Sequence, residues 1–341
     1  MKADDHSVQA KCTGGIVVQR VVVVVIGRNE GARLERCLTS VLAQASCVVY
    51  VDSGSTDDSV LMAQSKGVEV VALDMQIPFT AARARNAGFE RALKIHPCFS
   101  YVQFVDGDCE LCAQWIEAAA SFLDRKSDFS VVAGRLKEKF PTASVYNQLC
   151  DMEWNVPEGE SRTSGGIAMM RASAFAAVGG FNTTLICGEE PELCARLRAE
   201  GGRVWRLADD MALHDANMMR FSQWWIRTVR AGYGFAQAAF MDRHLPEQRG
   251  LRESRSAWIW GLGIPVTAAV LGTWLGWSAF LVLLVYPAQV VRLALRGTRS
   301  RYQNWLRGFF LVLGKFPEVA GQVKFRYQRI SGQQSQLIEH K

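Results

Sequence analysis

Tyr101-Val102-Gln103-Phe104-Val105-Asp106-Gly107-Asp108 opens as a short run of aromatic and β-branched residues and closes on two carboxylates one residue apart. The run has the character of a buried strand. Side chains two apart on an extended chain lie on the same side, so Asp106 and Asp108 can converge on one point. Acids at the end of a buried strand, with no Lys or Arg beside them in sequence, call for a cation, and their oxygens suit Mg²⁺ or Mn²⁺. Such an ion clamps a diphosphate. The competing reading is a plain Asp-Gly-Asp turn, in which Asp bonds backbone groups and Gly supplies unusual dihedrals.

The surrounding pattern favours the strand. Val21 to Ile26 is a continuous apolar run, as expected for a strand covered on both faces. Helical periodicity follows over Asn29 to Gln44, then a strand at Cys47 to Val51, a helix at Asp58 to Lys66 and a strand at Val68 to Leu73. Phe79 to Lys94 is helical and leads into the strand before Asp106. This β-α-β-α-β-α-β series predicts an α/β fold with a mostly parallel sheet flanked by helices. Ligands bind beyond the carboxyl ends of such strands, where Asp52 and the Asp106/Asp108 pair fall. Downstream, the sequence predicts a strand at Phe129 to Ala133, a turn at Gly165-Gly166, and helices from Arg171 to Val178 and Glu190 to Glu200. Val204 to Leu207 resembles an edge strand. Cys109-Glu110-Leu111-Cys112 lacks a second pair at zinc-finger distance and reads as incidental thiols at a helix start.

Composition is that of a folded protein, 49% hydrophobic and 21% charged over 341 residues. The formal net charge of +6 is concentrated at the end, where Arg292, Arg296, Arg299, Arg301 and Arg307 begin a basic run opposed only by Glu318 and Glu339. A nucleic-acid-binding core would carry its basic residues on the folded domain itself, so no nucleic acid partner is expected. A basic tail after apolar segments fits anionic lipid headgroups. No secretory signal is evident, and the catalytic part is expected to face a reducing cytoplasm.

The character changes near Ser256. No charged residue occurs between Arg255 and Arg292, and Trp258, Trp260, Trp274, Trp277 and Tyr286 stand among the apolar residues. That span is too long for one helix crossing a bilayer and adequate for two short ones, with the bend at Gly272 to Gly276 or at Gly261 to Pro265. Basic residues at both ends place both on the cytoplasmic side, leaving a helical hairpin that spans or lies in the membrane. A buried core hairpin of a soluble domain is the alternative. Asn304 to Val323 reads as an amphipathic surface helix. The expected organisation is a flexible lead-in at 1–19, a catalytic domain at 20–245, a membrane hairpin at 256–296 and a basic amphipathic tail at 297–341.

Five pieces in order carry a resemblance. They are Val22-Val23-Val24-Val25-Ile26-Gly27-Arg28-Asn29-Glu30; Asp52-Ser53-Gly54-Ser55-Thr56-Asp57; Ala84-Arg85-Asn86-Ala87-Gly88; Asp106-Gly107-Asp108; and Gly179-Gly180-Phe181-Asn182 with Gly188-Glu189-Glu190-Pro191-Glu192-Leu193. Together they resemble family 2 of the glycosyltransferases, with the GT-A fold, over roughly Val21 to His214. Ser53 stands where the family's D-D-G-S-T-D stretch has its second Asp.

The resemblance implies an inverting, metal-dependent enzyme that takes one sugar from a nucleotide-diphosphate sugar. Arg28, Glu30, Asp52, Arg85 and Asp106 would bind the donor, with Asp52 on the base or ribose and Asp106 on the ribose. Asp108 would hold Mn²⁺ or Mg²⁺, assisted by His214. The family's general base is an Asp; here Glu190 occupies that position after Glu189, and either can serve. Gln223-Trp224-Trp225-Ile226-Arg227 only partly matches the Q-x-x-R-W motif of processive synthases, which favours adding one sugar per encounter. Arg83, Arg227 and Arg230 are further candidates for phosphate contact, and Trp224 and Trp225 for the membrane edge. A glycan or lipid-linked acceptor, membrane lipids as partners, and a place in surface or extracellular polysaccharide assembly at the cytoplasmic membrane complete the expectation. The rivals are a catalytically degenerate sugar-nucleotide-binding scaffold and a nucleotidyltransferase; Gly27-Arg28-Asn29-Glu30-Gly31 lacks the length and charge of the latter's loop.

Overall fold

The computed structural model describes residues 20–244 and 247–332. The expected lead-in at 1–19 and the end of the basic tail lie outside the described residues. The chain divides into two compact units whose segments interleave: residues 140–152, 184–188 and everything from 217 on belong to the second, the rest to the first.

The first unit is built on a nine-stranded sheet. Its strands are β1 (Val21–Gly27), β2 (Cys47–Asp52), β3 (Glu69–Ala72), β4 (Tyr101–Asp106), β5 (Cys109–Leu111), β6 (Phe129–Glu138), β7 (Gly159–Ser161), β8 (Ala168–Arg171) and β9 (Arg203–His214). The order is β3-β2-β1-β4-β8-β6-β9-β5, with β7 also on β9. The first four strands are parallel, as their intervening helices require: α1 (Ala32–Leu42), α2 (Ser59–Ser65) and α3 (Ala81–Ile95). β2 is buried along its whole length and β1 along all but its end residues, consistent with cover on both faces.

The expected α/β sheet flanked by helices is present, and it is mixed: β8 runs antiparallel to β4 and β6, and β9 antiparallel to β5 and β7. Two finer expectations are corrected. The Val204–Leu207 strand is the start of β9, which is flanked there by β6 and β7 and is no edge. Cys109 to Leu111 is not a helix start but the strand β5, followed by α4 (Trp115–Arg125). Neither feature is visible in the local pattern, because β9 finds its partners far away in sequence. Next in chain order come α5 (Val145–Trp154), α6 (Ala172–Ala177) and α7 (Glu189–Ala199).

The Ala84–Gly88 motif shows why sequence dictates geometry here. A Cβ on Gly88 would stand 2.3 Å from Val24 Cγ1 and 2.9 Å from Val51 Cγ2, so α3 lies directly on β1 and β2. That closeness lets Arg85, a turn earlier, reach the strand ends.

The second unit is helical: α8 (Phe221–Met241), α9 (Leu251–Ala257), a π-helical turn at Trp258–Gly263, α10 (Ile264–Leu275), a 3₁₀ stretch at Gly276–Leu284, α11 (Val285–Leu295), α12 (Arg301–Leu313) and α13 (Lys315–Ile330). The single amphipathic helix expected over Asn304 to Val323 is thus two helices. Leu251–Leu295 is one helical stretch containing an 18-residue segment of mean hydropathy 2.0, long and apolar enough to cross a membrane and only 11% buried. It reverses at Gly276, whose φ of +63° suits glycine, and Tyr286 Oη then donates to the Trp260 carbonyl. Trp224 is buried against Phe310 at 4.8 Å between ring centres, rather than free at a membrane edge.

Candidate active site

Strand register assembles the first half of the site. Gly27 pairs with Asp52 and Ile26 with Asp106, so the two acids flank the carboxyl end of β1. Asp52 is buried; its Oδ2 accepts from Gly54 N at 3.0 Å and Ser55 N at 2.9 Å, and its Oδ1 from Tyr50 Oη at 3.0 Å. This carboxylate holds the Ser53–Ser55 turn. Burial and the Asp52 charge push the Tyr50 phenol far up, so it stays a donor. Asn29 completes the floor, its Oδ1 accepting from Thr56 N at 2.7 Å. Arg28 is exposed, whereas Glu30 is buried and paired with Arg33 at 2.7 Å.

Arg85 is the hub. Its guanidinium is buried, donating to Asp106 Oδ1 and to Glu189 Oε1 at 2.8 Å each, and lies 5.5 Å from the Phe181 ring centre. Burial alone would depress it, but the two carboxylates hold its pKa above the ordinary value. Next to it, Asn86 bonds both backbone groups of Phe181, accepting from its N at 2.9 Å and donating to its O at 2.8 Å, which fixes the Gly-Gly-Phe loop. Arg83 instead turns to the carbonyls of Asp74 and Ile77. Arg227 and Arg230 lie on α8 in the second unit, where Arg230 donates to the Ile186 carbonyl at 3.0 Å.

The second half comes from β9. His214 stands opposite Cys109 on β5 and Glu138 on β6. Its Nε2 is 3.5 Å from Asp108 Oδ1, its Nδ1 is 3.9 Å from Glu138 Oε2, and Trp154 packs edge-on at 4.5 Å between ring centres. Ligand atoms of Asp108, Cys109 and His214 all lie within 4.8 Å of one another. Oxygen and imidazole donors gathered in this way fit a divalent first-row cation, and Glu138 stands where an outer carboxylate orients a ligating histidine.

Glu189 and Glu190 open α7 but face different surroundings. Glu189 is tied to Arg85. Glu190 is buried; its Oε1 accepts from Ser164 N, from Ser164 Oγ at 2.9 Å and from Cys194 Sγ at 2.9 Å. Burial raises its pKa above the usual carboxylate value, against the opposing effect of these donors. Sequence reasoning missed Glu138, Ser164 and Cys109. None belongs to a local pattern; each is brought in by strand pairing or by the loop opposite α7.

Known proteins carry the same organisation. Residues 22–178 match the model of glycosyl transferase family 2, and residues 150–221 that of the N-terminal domain of galactosyltransferase. The glycosyltransferase AglE of Haloferax volcanii is 25% identical over 238 residues, covering 65% of this chain and 75% of that protein. The pre-mycofactocin glycosyltransferase of Mycobacterium tuberculosis is 27% identical over 306 residues, 84% of this chain and 60% of the relative. Among solved structures, the mannosyltransferase PcManGT from Pyrobaculum calidifontis, in complex with GDP-Man and Mn²⁺, superposes with a TM-score of 0.55 at 16% identity, covering 95% of this chain and 94% of that one. Residues 1–349 of S. aureus TarS give 0.51 at 16% identity, over 90% and 91% of the two chains. The ordered motifs, the strand-end acids and these matches agree: residues 22–178 form a glycosyl transferase family 2 domain, and the chain has the GT-A fold.

Proposed function

We propose that this enzyme is an inverting glycosyltransferase that moves one sugar from a nucleotide-diphosphate sugar to a lipid-linked acceptor at a membrane surface. The observation that carries the reading is the convergence of Asp108 and His214 beside the Arg85–Asp106–Glu189 network, at the carboxyl ends of the strands. Mn²⁺ or Mg²⁺ held by Asp108 and His214 would supply Lewis-acid stabilisation of the charge that develops on the departing diphosphate. The turn held by Asp52 receives the nucleoside, and Asp106, oriented by Arg85, faces the ribose.

Glu190 is the base. It takes the acceptor hydroxyl proton as that oxygen bonds to the anomeric carbon and the bond to the diphosphate breaks, releasing a nucleoside diphosphate. A base works best with a pKa near the operating pH, and burial moves Glu190 in that direction. Glu189, neutralised by Arg85, is the poorer base and serves to position that arginine. The uncharged stretch between Arg255 and Arg292 anchors the enzyme, with the flanking arginines on the cytoplasmic side.

The test is to incubate the purified full chain with a panel of uridine- and guanosine-diphosphate sugars, Mn²⁺ or Mg²⁺, and a membrane lipid extract. Metal-dependent release of one nucleoside diphosphate, with inversion at the transferred sugar, is expected. Binding of a donor without turnover in any combination would favour the scaffold reading instead.

A further inference from the structure

A cavity of about 550 Å³ opens in the second unit at the foot of the apolar hairpin. Its lining changes character along the chain, from Glu247 through Arg252 and Arg255 on α9 to Ile259 and Trp260 in the π-helical turn. Arg252 and Arg255 are three apart on one helix, so their side chains share a face. Both are exposed, and among the described residues neither forms an ion pair with an acidic side chain. Glu247 also lines the cavity, leaving two cations against one carboxylate. Beyond Arg255 no charge occurs until Arg292, and Ile259 is 58% exposed. The cavity therefore joins a cationic wall to an apolar one at the point where the chain turns from water-seeking to lipid-seeking residues.

We propose that this cavity binds the phosphate headgroup of an anionic membrane lipid, with Arg252 and Arg255 on the phosphate and Ile259 and Trp260 along the upper acyl chains. Anionic lipid is the occupant because the site offers both halves of an amphiphile at once. A free phosphate would use the arginines alone, and a zwitterionic lipid would leave their charge uncompensated. Arginine suits the role, since its planar fork meets phosphate oxygens in pairs. The inference rests on the reading of the apolar stretch as a membrane anchor and adds to it a specific lipid contact.

The experiment titrates the full chain, in an uncharged detergent, with short-chain phosphatidylglycerol, short-chain phosphatidylcholine and inorganic phosphate. Saturable phosphatidylglycerol binding is expected, and the R252Q/R255Q double variant should weaken it about 25-fold, roughly fivefold per arginine near a lipid surface. The R252K/R255K variant should bind between the parent and R252Q/R255Q, since the charges persist but the paired contacts are lost. Equal affinity for phosphatidylcholine, or an unchanged affinity in R252Q/R255Q, overturns the proposal; equal affinity for inorganic phosphate overturns the choice of a lipid. Vesicle flotation of the same preparations separates the two readings. A chain that floats without anionic preference refutes the headgroup site alone, whereas a chain that fails to float refutes the anchor. Nucleotide-diphosphate affinity should be equal in all variants.

Discussion

Around His214, the proposed metal site would depend on groups that never touch the ion. Glu138 sits 3.9 Å from Nδ1, and its Oε2 is steadied by Ala216 N at 3.2 Å. A carboxylate at this place would favour Nε2 facing Asp108 by drawing the imidazole proton to Nδ1, on the other side of the ring. Replacing Asp108 with Ala should abolish Mn²⁺ binding, read by the paramagnetic resonance of free Mn²⁺, together with transfer. Glu138→Gln should weaken Mn²⁺ by about 10-fold or more, the usual loss for an outer partner; an unchanged affinity would assign Glu138 to packing alone. Glu190 offers a test of a different sign. Its folded-state pKa is raised by burial, so the folded form holds its proton to higher pH than the unfolded chain does. Stability from this group is fully present below the ordinary carboxylate value and lost as pH rises through the folded value. Glu190→Gln, whose carbonyl oxygen can still accept from Ser164, should therefore melt no lower than the parent at pH 8, with the difference fading on acidification, while transfer is lost. A large drop in melting temperature at pH 8 would refute that account. In the parent, the acid limb of the rate profile should lie above the ordinary carboxylate range.

At the scale of elements, the packing of α3 on the sheet decides whether Arg85 reaches Asp106. Gly88→Ala would put a methyl 2.3 Å from Val24 Cγ1, and overpacking of this kind costs about 1–3 kcal/mol. A lower midpoint in urea with an unchanged slope is the expected reading. A neutral result would mean that α3 yields without cost. The parallel half of the sheet was legible because each strand is followed by its own helix and the apolar runs are uninterrupted. The placement of Asp52 and Asp106 at the strand ends of that half was legible for the same reason. The second half was not. The expected strand over Phe129 to Ala133 stops at a glycine that looks like a terminator, yet β6 continues through Gly134 to Glu138. A Cβ at Gly134 would lie 2.5 Å from Trp115 Cζ3 and 2.7 Å from the Asp209 carbonyl, so this glycine marks close approach in mid-strand. The register shifts on either side of it, and Glu138 meets His214 only after those shifts. The choice between Glu189 and Glu190 was equally hidden, because adjacent acids differ only in the loops that meet them.

For the whole molecule, the apolar stretch is the strongest claim on location. Trp274 and Trp277, on either side of the Gly276 reversal, are 84% and 89% exposed, and Val270 and Leu281 lie in the two arms. A charged residue near the centre of a membrane helix costs about 2.5–3.5 kcal/mol on insertion scales. The V270R/L281R variant should accordingly move from carbonate-washed membranes to the soluble fraction while still binding a nucleoside diphosphate. Retention in the membrane would assign the stretch to packing within the protein.

The place of β9 in the sheet also sets a timetable. Asp108 and His214 are far apart in the chain, and at about 5–20 residues per second their emergence from the ribosome is separated by roughly 5–20 s. Until β9 arrives, β6 lacks its parallel neighbour and β5 has no strand to pair with. The nascent chain therefore carries Asp108 before the imidazole that would complete the proposed metal site has been made. Because the apolar stretch follows β9 in sequence, every strand of the sheet has been synthesised before the first of its exposed tryptophans is made.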